Sequence, residues 1–123
     1  MCEMGKKIWL IPDCYYPEES TEGPYVSHEA LCVLNVSDSD ARLSLTAFYE
    51  DAEPDGNFSA LCEARRTRHI RLDRLCDSAG KGIEKGRPYA LLVESDVAVV
   101  CQYSRVDTTQ ERLGVATTMA FSQ

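Results

Sequence analysis

Tyr89-Ala90-Leu91-Leu92-Val93-Glu94-Ser95-Asp96-Val97-Ala98-Val99-Val100-Cys101-Gln102-Tyr103 is the most apolar stretch of the chain, and it decides the fold class. Repeated Val, Leu and Tyr fit a pleated, half-buried surface better than a helix. A nearly continuous apolar run marks a strand covered on both faces. The two runs, Tyr89 to Val93 and Val97 to Tyr103, are split only by Glu94-Ser95-Asp96, which predicts a hairpin at the centre of the core.

The same period continues outward from this centre. Upstream, Arg42 to Glu50 alternates, with Leu43, Leu45, Ala47 and Tyr49 on one face and Arg42, Ser44 and Thr46 on the other. Shorter strands are predicted near Lys7 to Ile11, Glu29 to Asn35, Phe58 to Glu63 and Thr67 to Leu72, with a single helical turn at Asp73 to Cys76. The segments between them are rich in Gly, Pro, Asp and Ser: an acidic loop from Cys14 to Pro24, a turn at Asp51 to Gly56, and a loop from Asp77 to Pro88. Downstream, Leu113, Val115, Thr117, Met119 and Phe121 fall on one side of a last strand, with small Gly114, Ala116, Thr118 and Ala120 on the other. Such a small-residue face lets another chain segment approach closely, either at an interface or within a crowded core. Seven to eight short strands in 123 residues predict an all-β, two-sheet antiparallel β-sandwich forming a single domain over residues 1–123.

Composition narrows the partners. With 13 Lys+Arg against 20 Asp+Glu, the net charge of −7 disfavours nucleic acid, which requires a basic surface to displace counterions. That charge is unevenly spread. Arg65 to Arg74 holds five of the 13 basic residues and one of the 20 acidic ones, so +4 lies there and −11 elsewhere. Alternation places Thr67, His69 and Arg71 on one face of this strand, and Arg66 and Arg68 with Ile70 and Leu72 on the other. Pairing with the protein's own carboxylates, within or between subunits, is the favoured role of these arginines; an anionic ligand or acidic partner is the alternative.

The six cysteines, at 2, 14, 32, 62, 76 and 101, form no C-x-x-C pair. The apolar stretch Ile8 to Ile11 is too short for a secretory leader, so a cytoplasmic protein with free thiols is expected, with Cys32 and Cys101 packed as small hydrophobes. His28 and His69 lack the spacing of a metal pair, and no phosphate loop or nucleophile motif occurs. The expectation is therefore no metal, no cofactor and no catalytic residue. Ser27, His28, Glu29, His69, Arg71, Gln102, Arg105 and Asp107 are the candidate residues for a ligand or partner, with Trp9, Tyr49 or Tyr103 as an aromatic platform should the ligand be a sugar. Arg105 and Asp107, two apart, can also pair with each other.

Several segments taken in order resemble the soluble sensory-rhodopsin transducer family. They are Trp9, Ser27-His28-Glu29, Cys32-Val33-Leu34-Asn35, Asp40-Ala41, Phe48 to Pro54, Ala64 to Arg71, and Val99 to Asp107 with Gln110. The resemblance implies a small cytoplasmic β-sandwich, similar to carbohydrate-binding modules, that assembles as a homotetramer. It also implies docking on the cytoplasmic face of a seven-helix retinal receptor to relay its light state. No catalytic residues are carried over. The rival expectation is a module for a small ligand or sugar with no photosensory role.

Overall fold

The computed structural model of the chain describes residues 3–17, 27–108 and 114–123, the side chain of Asn57 excepted. Among these residues the elements are β1 (Lys6–Tyr15), β2 (His28–Asn35), β3 (Ala41–Tyr49), β4 (Asp55–Cys62), β5 (Arg66–Arg71), a 3-10 turn (Leu72–Arg74), β6 (Pro88–Asp107), β7 (Gly114–Met119) and β8 (Phe121–Ser122). Every pairing is antiparallel. The result is the all-β sandwich of two layers that alternation and turn spacing imply.

One strand belongs to both layers. The first half of β6 lies between β1 and β3 in the order β4-β3-β6-β1-β8, and its second half lies between β2 and β7, with β5 outside β2. The hairpin expected at Glu94 to Asp96 is therefore not formed, and β6 is a single strand of 20 residues rather than two short ones. The reason is parity. Tyr89, Leu91, Val93, Ser95, Val99, Cys101 and Tyr103 are all buried, so odd positions face the interior on both sides of the polar triplet, with Val97 half-buried and the even Ala98 also buried between them, while Glu94 and Asp96 are exposed. Ser95 fills an inward position that a turn would have removed, and the strand keeps its pairing with β1 and β3 through Glu94 and Ser95.

The passage from one layer to the other is fixed by Trp9. Its indole Nε1 donates to the carbonyls of Lys6 and Val99, each at 3.0 Å, and its ring is buried. Gly5 (φ +94°) lies against the Val99 carbonyl, where a Cβ would collide with that oxygen.

β1 is longer than the predicted Lys7 to Ile11. It passes through Pro12 to Tyr15, with a register shift between Ile11 and Cys14 at the residue that has no N–H to give. Cys14 and Tyr15 thus belong to the strand, not to the acidic loop, whose residues 18–24 lie outside the described residues. Cys14, Cys62 and Cys101 are fully buried, whereas Cys32 points to the outer face and is only half-buried. Cys14, Cys32, Cys62, Cys76 and Cys101 are all free thiols. Burial pushes the Cys101 thiol up to about 12 and raises Cys14 further, so both stay protonated and inert as nucleophiles.

The last strand does not keep one face throughout. All six residues of β7 are exposed, and the chain then crosses layers at Ala120, so that Phe121 pairs with Leu10 in the other sheet. The segment 109–113, which carries Gln110 and Leu113, lies outside the described residues.

Candidate functional site

Strand register divides the eight candidate residues between two faces of one sheet. Directly paired residues share a face. The pairs His69 with Cys32, Cys32 with Gln102, and Gln102 with Met119 therefore form one row across the outer face, and Arg71, Ala30, Ser104 and Thr117 form the next. A 3.1 Å hydrogen bond between the Ser104 and Thr117 hydroxyls shows this shared side directly. His28, opposite Val106, completes the face. Glu29 and Arg105 are opposite each other on the inner side, together with Asp107. Ser27 is buried at the sheet end, where its hydroxyl lies 3.0 Å from that of Thr108 and accepts the Thr108 N–H at 2.9 Å.

On the outer face, Arg71 makes a bidentate pair with Asp73, at 2.7 and 2.8 Å. Burial alone would raise the Asp73 carboxyl, but the Arg71 guanidinium outweighs it and holds the group below its ordinary value. With the two side chains 27% and 11% exposed, Asp73→Asn is expected to cost about 1 kcal/mol at pH 7. A carboxylate depressed in the folded state stabilises above its unfolded pKa, and that contribution is lost as pH falls through the folded value. Urea denaturation at a series of pH values should show the gap between wild type and variant closing on acidification; a gap that widens contradicts the pairing. Elsewhere in the basic strand, Arg65 pairs with Asp38 at 3.2 Å, while Arg66 and Arg68 donate to the carbonyls of Arg65 and Leu61. Part of the charge segregation is thus absorbed within the chain.

The inner side carries the unusual chemistry. Glu29 is 1% exposed, and three groups donate to its carboxylate: the Tyr15 N–H at 2.9 Å, the Tyr89 hydroxyl at 2.7 Å and the Tyr103 hydroxyl. These come from β1 and from both halves of β6, so one carboxylate on β2 ties the two layers together at this end. Arg105 does not pair with Asp107. Its Nε donates to the Tyr103 hydroxyl at 3.2 Å, and its Nη2 reaches the Asp13 carboxylate at 3.7 Å. Burial and the Glu29 charge push the phenols of Tyr89 and Tyr103 well above the usual tyrosine range. Both therefore remain donors. Asp13, Tyr15 and Tyr89 were not among the candidates. A tyrosine at an inward strand position signals Tyr89, since a buried hydroxyl requires a partner and Glu29 is the inward-facing carboxylate of β2; Asp13, which is exposed, and Tyr15, which gives its backbone N–H, carry no such signal.

The aromatic residues considered as a sugar platform are otherwise engaged. Trp9 and Tyr103 are buried, and the Tyr49 ring is covered by the Arg87 guanidinium at 4.1 Å. Beside Tyr103 and Arg105, a cleft of about 530 Å³ opens between β1 and β7.

The family described as Anabaena sensory rhodopsin transducer matches residues 4–122. The chain belongs to this family. Among solved structures, the crystal structure of Thermotoga maritima 1070 is similar at TM-score 0.87 and 33% identity, covering 98% of this chain and 97% of that one. The Anabaena sensory rhodopsin transducer is similar at TM-score 0.75 and 32% identity, over 89% of this chain and 96% of its own. No curated protein matches. The span that matches the transducer family, residues 4–122, takes in the residues of the Glu29 cluster and of the outer face of the second layer. No helix among the described residues is long and apolar enough to cross a membrane.

Proposed function

We propose that the chain is a non-enzymatic cytoplasmic adaptor that assembles as a homotetramer and docks on the cytoplasmic face of a seven-helix retinal receptor. Membership of the transducer family over residues 4–122 carries the reading. The outer face of the second layer supplies the docking surface. There Val115 and Met119, 64% and 54% exposed, lie on β7 with Met119 paired to Gln102 on β6, while His69 and Arg71 lie on β5 beyond β2. Large apolar side chains exposed on an edge strand and rimmed by polar groups have the composition of a protein contact.

The test is titration of the chain onto nanodiscs holding a seven-helix retinal receptor, with empty nanodiscs as reference and light scattering for the mass. A species four times the 13.7 kDa chain and receptor-dependent binding are expected. Met119→Asp should weaken that binding at least about tenfold, near 1.4 kcal/mol. Binding no greater than to empty discs, or a monomer at all concentrations, would sink the proposal.

A further inference from the structure

The cleft between β1 and β7 has about 530 Å³ of space, within the ~300–1,000 Å³ typical of small-molecule sites. It opens on the inner side of the second layer, and its rim reaches Thr117 and Met119 at the edge of the proposed docking face. The small residues of β7 keep it open: Ala116 stands opposite Arg105 and Gly114 opposite Asp107, so no bulky β7 side chain fills the space over the guanidinium.

The polar end of the cleft has donors to give and few acceptors. The Glu29 oxygens are taken up by Tyr15, Tyr89 and Tyr103, and Tyr103 spends its proton on Glu29. Arg105 gives Nε to Tyr103, but its Nη2 meets the Asp13 carbonyl at only 3.5 Å and the Asp13 carboxylate at 3.7 Å. Those separations exceed the ~2.7–2.9 Å of a strong charge-assisted bond. The Asp13 side chain is also 92% exposed, so water screens its charge. The remaining lining includes Ile11 and Phe121, the latter 57% exposed although large and apolar.

We propose that this cleft binds a small monocarboxylic acid with an apolar body, its carboxylate on the Arg105 guanidinium and its body against Ile11 and Phe121. Arg105 is the group that selects the anion, because a guanidinium matches a carboxylate in plane and spacing.

Phenylacetate and octanoate, with 2-phenylethanol and phenethylamine as neutral and cationic counterparts of the aryl acid, are titrated calorimetrically and in thermal-shift assays. The acids are expected to bind and to raise the melting temperature, with the alcohol and amine at least about tenfold weaker. Arg105→Gln should lose at least about tenfold in acid affinity. Because that variant also touches the Glu29 cluster, Ala116→Leu serves as the second: it fills the cleft from an exposed edge position and should abolish acid binding while leaving the melting temperature of the free protein unchanged, whereas Met119→Asp tests docking separately. No stabilisation by any acid at about 10 mM, equal effects of acid and amine, or wild-type affinity in both variants overturns the site.

Discussion

Replacing Glu29 by Gln is expected to lower unfolding stability by about 2–4 kcal/mol, a fall in melting temperature of roughly 8–16 °C for a domain of this size. The carboxylate oxygens accept from the Tyr15 N–H, Tyr89 and Tyr103. An amide has one acceptor oxygen, and its NH2 would face a phenol already aimed at it as a donor, so at least one buried group loses its partner. Glu29→Leu should cost more, about 3–5 kcal/mol, since all three donors are then left in an interior where Glu29 itself was 1% exposed. Tyr103→Phe removes one donor to Glu29 and the acceptor of the Arg105 Nε, leaving the Tyr15 and Tyr89 donors in place, and should cost less, about 1–2 kcal/mol. Urea denaturation of the three variants checks the order. A Glu29→Gln protein within about 0.5 kcal/mol of wild type would mean that the carboxylate is not what joins the layers at this end.

Asn35→Leu is the second large effect, at about 2–4 kcal/mol. Asn35 is fully buried, and its Nδ2 donates to the carbonyls of Ser39, Cys62 and Glu63 at 2.8, 3.1 and 3.3 Å. Its Oδ1 accepts from the Ser37 N–H at 3.0 Å and the Ser37 hydroxyl at 2.7 Å. One side chain therefore closes the β2–β3 turn and pins it to the β4–β5 connection, where Arg65 adopts φ +56° and donates its N–H to the Ser37 carbonyl. Leucine has similar bulk but can satisfy none of these groups. Two backbone turns would lose their shared fastener while the apolar core stays intact, so the loss should appear as early hydrogen exchange of Ser37 and Arg65 as well as lower stability. Unchanged protection at both amides would contradict this.

Most of the strands were legible in the sequence because strand period is local. Arg42 to Glu50 displays its inward and outward residues in strict alternation, and β3 follows it. β6 is the instructive failure. Polar Glu94-Ser95-Asp96 has the composition of a turn, yet the inward parity of Tyr89, Leu91 and Val93 is taken up again by Val99, Cys101 and Tyr103 on the far side of it. The even positions Ala90, Leu92, Ala98 and Val100 are apolar too, which masked that parity. β1 was cut short for a related reason: Pro12 stops most strands but is accommodated here by a register shift.

The candidate residues are polar groups that cluster in sequence, and alternation alone divides some of them between the two faces. His28 and Glu29 are adjacent and necessarily face opposite ways. Choosing which inward residues meet required more than alternation. Glu29 lies 60 residues from Tyr89 and 74 from Tyr103, and Arg105 is 92 from Asp13.

The sequence by itself determined an all-β chain, the place of most of its strands and its family, because period, turn chemistry and family segments are written residue by residue. Only the tertiary structure decided that one strand serves both layers and that a buried carboxylate, two phenols and a guanidinium gather beside an open cleft. Those contacts depend on the pairing register of strands far apart in the chain, and on β6 pairing with β1 and β3 in its first half and with β2 and β7 in its second.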